Sequence, residues 1–215
     1  MSLREDLIVG AGELGVDVSE KDVDLFFKYL ENLKKWNEKI NLTSIKDDRG
    51  IIVSHFLDSI SIAPIIEDEK KVLDIGSGAG FPGIPLKIVR PGLEVTMLDS
   101  VNKKVSFMND TIRKLGIEGI KAVWGRAEES QSNIPLHHFD YVVCRAVGSI
   151  SDTLKLSSPY VSEDGVIVLM RGKGGSEEWN TTIQDVENEF ELVDFKDLTL
   201  PIGDLKRIIL VLRLL

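Results

Sequence analysis

The sequence predicts an α/β fold: a largely parallel sheet covered by helices on both faces, preceded by a helical extension over residues 1–66. Three observations carry this. From residue 67 onwards, short β-branched and apolar runs alternate with helical stretches, the pattern of repeated strand–helix–strand units. The last two strand-like runs have only the turn around Pro201-Ile202-Gly203-Asp204 between them, so they read as an antiparallel hairpin at a sheet edge; parallel neighbours need a long crossover. Before residue 67 the apolar positions recur at helical spacing, and the acidic Glu67-Asp68-Glu69 marks the boundary to a domain over 67–215.

The elements follow in order. Leu3 to Leu14 reads as a short helix stopped by Gly15. Ser19-Glu20-Lys21-Asp22 resembles a capping box with Asp in the usual Glu place, and Val23, Phe26, Phe27, Leu30 and Leu33 carry a helix on to about Lys39. Ile51, Ile52, Phe56, Ile60 and Ile62 predict a third helix ending before Pro64. Strands are expected at Val72–Ile75, Glu94–Leu98, Ile120–Trp124, Tyr141–Cys144, Val166–Met170, Leu192–Leu198 and Ile208–Leu212. Helices fill the gaps at Ile84–Val89, Asn102–Leu115, Ile150–Leu156 and Glu177–Glu189.

Between the first strand and its helix runs Asp74-Ile75-Gly76-Ser77-Gly78-Ala79-Gly80-Phe81-Pro82-Gly83. A strand, a glycine turn and a helix N-terminus bring backbone N–H groups close to a ligand. Gly78 to Gly83 satisfies the dinucleotide pattern G-x-G-x-x-G, with Asp99 about twenty residues on to hold a ribose, so a nicotinamide-dependent oxidoreductase is one reading. Asp74 stands before a Gly-x-Gly-x-Gly turn, however, and a carboxylate there suits a cofactor without a pyrophosphate. With the edge hairpin, this favours the Rossmann-like seven-stranded sheet of class I S-adenosylmethionine-dependent methyltransferases. The candidate cofactor residues are Asp74, Gly76, Gly78, Gly80 and Phe81, with Asp99 and Ser100 after the second strand.

Composition narrows the partners. A net charge of −9 argues against indiscriminate nucleic-acid binding, yet leaves room for a local basic rim. No apolar stretch approaches a membrane span and no cleavable leader is visible, so a soluble, cytoplasmic, monomeric protein is expected. The single cysteine, Cys144, rules out an internal disulfide and a cysteine-rich zinc site, and His55, His137 and His138 form no metal pattern.

Several segments together resemble one family. They are Asp74 to Pro85; Leu98-Asp99-Ser100 followed by Lys103-Lys104; Arg126-Ala127-Glu128; Asp140 to Ala146; and, upstream, Asn41-Leu42-Thr43 and His55-Phe56-Leu57-Asp58-Ser59. From about residue 20 to its end the chain is similar to the glucose-inhibited division protein B family, bacterial methyltransferases that modify N7 of a guanine (guanine 527) in 16S ribosomal RNA of the small subunit. The resemblance implies S-adenosylmethionine as cofactor, touched by Gly76 and Phe81 from the loop, by Asp99 at the ribose and by Ala127 and Glu128 at the adenine end. It places Arg145 on cofactor or substrate. Cys144 departs from the small residue expected there.

The chemistry agrees with that substrate. Exocyclic amine methylation commonly uses an Asn/Asp-Pro-Pro-aromatic turn after the fourth strand, where this chain has Cys144-Arg145-Ala146. Cytosine C5 methylation needs an attacking cysteine, and Cys144 is expected to be buried packing. Guanine N7 carries an in-plane lone pair and loses no proton on methylation, so orientation replaces base catalysis. Arg145 is then a candidate for positioning the base through O6. Arg171 and Lys173 after the fifth strand, with Lys103 and Lys104, are expected to form the RNA-binding rim, and Lys34-Lys35 is the next candidate face. Trp36 is expected to serve packing, His55 to be either a hydrogen-bonded structural histidine or a substrate contact, and Phe81 to meet the ligand. A non-catalytic RNA-binding module with a relic pocket is the remaining alternative, disfavoured because both the loop and Asp99 are intact.

Overall fold

The computed structural model describes residues 2–128 and 134–215. Helix α1 (Leu3–Glu13) and α2 (Glu20–Asn37) each begin with a capping box, Ser2 with Glu5 and Ser19 with Asp22, which satisfies two otherwise orphaned backbone donors. The third helix is not uniform. It starts as α3 (Asp48–Ile51), widens into a π-helical stretch (Ile52–Leu57) and tightens again as α4 (Asp58–Ile60). The helix ends at Ile60, before Pro64 as expected, and a separate 3₁₀ turn, Ala63–Ile65, carries the chain through the proline.

The sheet comprises β1 (Lys71–Ile75), β2 (Glu94–Asp99), β3 (Ile120–Trp124), β4 (Phe139–Arg145), β5 (Val161–Arg171), β6 (Phe190–Leu200) and β7 (Leu205–Leu214). Its order is β3-β2-β1-β4-β5-β7-β6. Strands β1 to β5 pair in parallel, and β7 runs antiparallel to both β5 and β6, so the expected hairpin is present with β6 outermost. Helices α5 (Gly83–Val89), α6 (Asn102–Leu115), α7 (Ile150–Ser157) and α8 (Gly175–Val186) link the strands. The fifth strand begins earlier than the apolar run suggested, because Ser162-Glu163-Asp164 extend it as an exposed polar lead.

Strand alternation divides the interior in two. Val72, Tyr141, Val143, Val168, Met170, Ile209 and Val211 face one cluster; Leu73, Val142, Ile167, Leu169, Leu210 and Leu212 face the other. The first cluster also contains Leu7, Phe26, Tyr29, Leu33, Ile52, Phe56 and Ile60, so the N-terminal helices share one core with the sheet. Polar bonds fix the seam. Asn32 donates to Thr111 Oγ1 at 2.9 Å, Lys114 donates to Asn32 Oδ1 at 2.6 Å, and the Trp36 indole donates to Asp110 at 2.9 Å.

Candidate active site

The carboxyl ends of β1, β2 and β3 converge on a cavity of about 320 Å³ lined by Gly76, Asp99, Ser100, Val101, Lys104, Ala127 and Glu128, among others. A second hollow adjoins it through Ala127, Glu128, Val147 and Leu156. Ligands in open α/β sheets bind at such an edge, where strand order reverses between β1 and β4.

The glycine loop is tied into this edge by its own backbone. Gly76 N–H and Ser77 N–H both donate to the Leu98 carbonyl, at 2.8 and 3.2 Å. Gly78 N–H donates to Asp99 Oδ2 at 2.8 Å, while Asp99 Oδ1 accepts from Val101 N–H at 2.8 Å. Lys104 Nζ stands 3.7 Å from Oδ2. Gly78 holds φ +60°, and a Cβ there would meet only the Gly76 carbonyl, at 3.9 Å, so the space beside it is open. At Gly80, φ is +87° and a Cβ would lie 2.5 Å from Ile84 Cδ1, so that glycine serves the turn. The loop is also held from the extension: the Tyr29 hydroxyl donates to the Ala79 carbonyl. Sequence reasoning missed this bond, since nothing local links residues fifty apart.

Asp74 and Phe81 do not sit where the sequence placed them. Asp74 is fully buried beneath the loop, where Oδ2 accepts Gly83 N–H at 2.9 Å and ties the start of α5 to the end of β1. Its Oδ1 is buried with no hydrogen-bond partner, and burial pushes its carboxyl up to about 7. The Phe81 ring, 3% exposed, packs on Tyr29, Phe56 and His55 instead of facing a ligand. The turn of the loop swings residue 81 back under the sheet face that the extension covers.

Arg145 departs in the same direction. Strand alternation aims it, like Tyr141 and Val143, at the extension and away from the residues lining the cavity. Its Nη1 bonds Asp58 Oδ2 at 3.2 Å and the Ser54 carbonyl at 3.3 Å, and its Cζ lies 5.0 Å from the Phe81 ring centroid. His55 stacks on the same ring at 4.6 Å. Its Nδ1 faces Arg145 Nη2 at 3.5 Å and its Nε2 meets Thr43 Oγ1 at 2.7 Å. An arginine can only donate, so Nδ1 is the acceptor and Nε2 carries the proton. Burial first, then the Arg145 charge, lowers this imidazole to about 4.

The expected basic rim is only partly present. Arg171 is 8% exposed; its guanidinium donates to the Gly148 carbonyl at 2.7 Å and to Thr153 Oγ1 at 3.2 Å, bracing the β4–α7 turn. It is a structural residue, because a long side chain leaving a central strand end is covered by the next turn. Lys173 and Lys103 are exposed, whereas Lys104 turns toward Asp99. Cys144 is buried 3.4 Å from Ser157 Oγ with its thiol pushed up to about 12 by burial, so it is inert. Among the described residues no group of histidine, cysteine, aspartate and glutamate forms a metal site.

The seven-stranded order with β7 reversed, and a glycine loop facing an acid at the end of β2, define a class I methyltransferase. In overall fold the chain is similar to a SAM-dependent methyltransferase from Aquifex aeolicus (TM-score 0.61, 15% identity, 80% of this chain and 96% of that one). It is likewise similar to a predicted O-methyltransferase from Agrobacterium tumefaciens (TM-score 0.59, 16% identity, 73% and 80%). Residues 22–201 match the GidB family, described as rRNA small subunit methyltransferase G, and the chain belongs to that family. Named relatives called ribosomal RNA small subunit methyltransferase G include one from Acetivibrio thermocellus, 41% identical over 99% of this chain and 89% of its own. Another, from Geobacter sp., is 36% identical over 98% and 97%.

The residues present fit S-adenosylmethionine, which supplies an electrophilic methyl group when bound. Each Asp99 oxygen accepts one backbone N–H and keeps a further lone pair for a ribose hydroxyl. The open side of Gly78 leaves room for a ligand, and Ala127 and Glu128, which line the cavity, would flank its far end.

Proposed function

We propose that this protein methylates N7 of a guanine in 16S ribosomal RNA, acting as a single chain on a small-subunit particle in the cytoplasm. The observation that carries the reading is the state of His55, the imidazole beside Arg145 at the end of β4. His55 has both nitrogens engaged, by Arg145 and Thr43, so it is not placed to remove a proton from a nucleophile. Guanine N7 asks for no such removal. What the chain would supply is alignment: Asp99 and the loop would fix the cofactor, and Arg145, at the end of β4, would meet the RNA strand. The exposed Lys103 and Lys173 are the proposed rim for the strand. That no helix among the described residues is long and apolar enough to cross a membrane agrees with this setting.

The test is transfer of a labelled methyl group to 16S RNA, free and in unmethylated small subunits, followed by mapping. Label on one guanine N7, with faster transfer to the particle, is the expected result. Label on an exocyclic amine or on C5 of a pyrimidine would overturn the reading.

A further inference from the structure

Asp58 is 3% exposed and holds two arginines at once. Its Oδ2 meets Arg145 Nη1 at 3.2 Å, and its Oδ1 meets Arg207 Nε at 2.8 Å. The topology explains the meeting. Arg145 pairs across the sheet with Met170, and Met170 pairs with Ile209. Because β7 is antiparallel, its amino end lies at the edge where β4 and β5 have their carboxyl ends. Arg207, two residues before Ile209, therefore projects from the same face as Arg145 and about 10 Å away, two strand spacings. Asp58, at the start of α4, drops between them.

Two guanidinium groups and one carboxylate leave the cluster one positive charge in excess: the neighbouring imidazole is neutral at physiological pH, and Asp74, the other acid that Arg145 acts on, is held up to about 7 by burial. A clasp built only to pin the extension to the sheet needs one arginine, and a second buried cation costs desolvation without a partner of its own. Neither side chain is sealed: Arg145 is 18% and Arg207 20% exposed, so the excess charge faces water at the active-site edge. Arg207 reaches Asp58 through Nε and the Lys206 carbonyl through Nη1 at 3.0 Å, which leaves Nη2 as the edge of its planar fork open to an incoming acceptor, and guanidinium N–H groups match the oxygens of phosphate.

We propose that Arg145 and Arg207, spread on either side of Asp58, form a receptor for one singly charged oxyanion, a phosphodiester of the RNA strand that carries the target base. This rests on RNA being the substrate. A second oxyanion of the same charge reaches this edge, the carboxylate of the cofactor, but the cavity that Asp99 and Ala127 line does not include Arg145 or Arg207. The receptor would hold the backbone beside the guanine and let Asp58 fix the spacing of the two forks.

The test uses the full chain with Arg207→Gln, which removes the charge while Asp58 keeps Arg145, and Arg207→Lys, which keeps the charge and loses the fork. Binding to unmethylated 16S RNA is measured across a salt series. Binding of adenosylhomocysteine and of methylthioadenosine, which lacks the carboxylate, is measured by calorimetry. Arg207→Gln should weaken RNA binding about tenfold at low salt and flatten the slope of log affinity against log salt by roughly one phosphate's worth, about 0.7–0.9. Arg207→Lys should retain the slope with a smaller loss, and both nucleoside affinities should stay unchanged. Loss of adenosylhomocysteine binding with methylthioadenosine binding intact would assign the anion to the cofactor and overturn the RNA assignment. Unchanged RNA affinity and slope beside a lowered melting temperature would reduce the cluster to a clasp. A wild-type protein that methylates no RNA fails the proposed function itself, before either variant is compared.

Discussion

The Tyr29 hydroxyl, on the second helix of the extension, donates its hydrogen to the carbonyl of Ala79 at the crest of the glycine loop. The cofactor loop is therefore anchored from a part of the chain that contributes no strand. Tyr29→Phe keeps the ring against Phe56 and Phe81 and strands a buried carbonyl, which should cost about 1–3 kcal/mol of stability. Chemical denaturation with and without adenosylhomocysteine checks this. A variant of unchanged stability and affinity would show the bond to be idle.

Asp99→Asn tests the junction of loop and ribose. The amide retains one acceptor oxygen and loses the charge, so both the Gly78 tether and the proposed ribose contact weaken. Adenosylhomocysteine affinity should fall by about 1.5–3 kcal/mol, the range for hydrogen bonds to a charged group. Equal affinity by calorimetry would remove Asp99 from the site.

Gly78→Val should abolish cofactor binding in a protein that still folds. The side chain would enter space that is open in the structure, at the cost of a left-handed backbone angle. Circular dichroism reports folding and calorimetry reports binding. A variant that binds normally would place the ligand on the other side of the loop.

Asp74 and His55 give stability opposite slopes with pH. Asp74, raised from 3.8 to about 7 chiefly by burial, keeps a proton that the unfolded chain has lost, so its contribution falls as pH rises between about 4 and 7. His55, lowered from 6.5 to about 4 by burial and Arg145, refuses a proton that the unfolded chain takes up, so its contribution rises over about pH 4 to 6.5. Each slope approaches about 1.4 kcal/mol per pH unit, and the two offset where they overlap. Urea denaturation should show a shallow profile for wild type between pH 4 and 6.5, stability rising with pH for Asp74→Asn, and falling for His55→Phe. Parallel profiles for all three would refute both assignments.

Arg171→Ala should lower the melting temperature and leave the salt dependence of RNA binding as in wild type, because its guanidinium braces Gly148 and Thr153 instead of facing solvent. A flattened salt slope in a protein of normal stability would return Arg171 to the rim.

The strands, their order of occurrence and the final hairpin were legible because period-two burial and the missing crossover are local signals. Asp99, Ser100, Ala127 and Glu128 were legible too, since the ends of successive parallel strands meet by topology. The directions of Phe81, Arg145 and Arg171 were not. Position at a strand end says which edge a residue occupies, whereas the face it turns to depends on register and on what covers it. The joining of Asp58 to Arg207, 149 residues apart, leaves no trace in spacing at all. Nor does the π-helical widening over Ile52–Leu57, whose residues have an ordinary apolar pattern.

The single core shared by the extension and the sheet has a consequence for how the protein is made. Synthesis runs from the N-terminus, so Phe26, Tyr29, Leu33 and Phe56 leave the ribosome before Ile84, Met97 and Phe107, with which they cluster, have emerged. Until α6 is out, those side chains have only one another to pack on and stay partly wet. The helices that will steady the glycine loop thus wait for the loop, and a nascent chain emerged only to about residue 70 should engage holding chaperones that a chain emerged past residue 115 no longer needs.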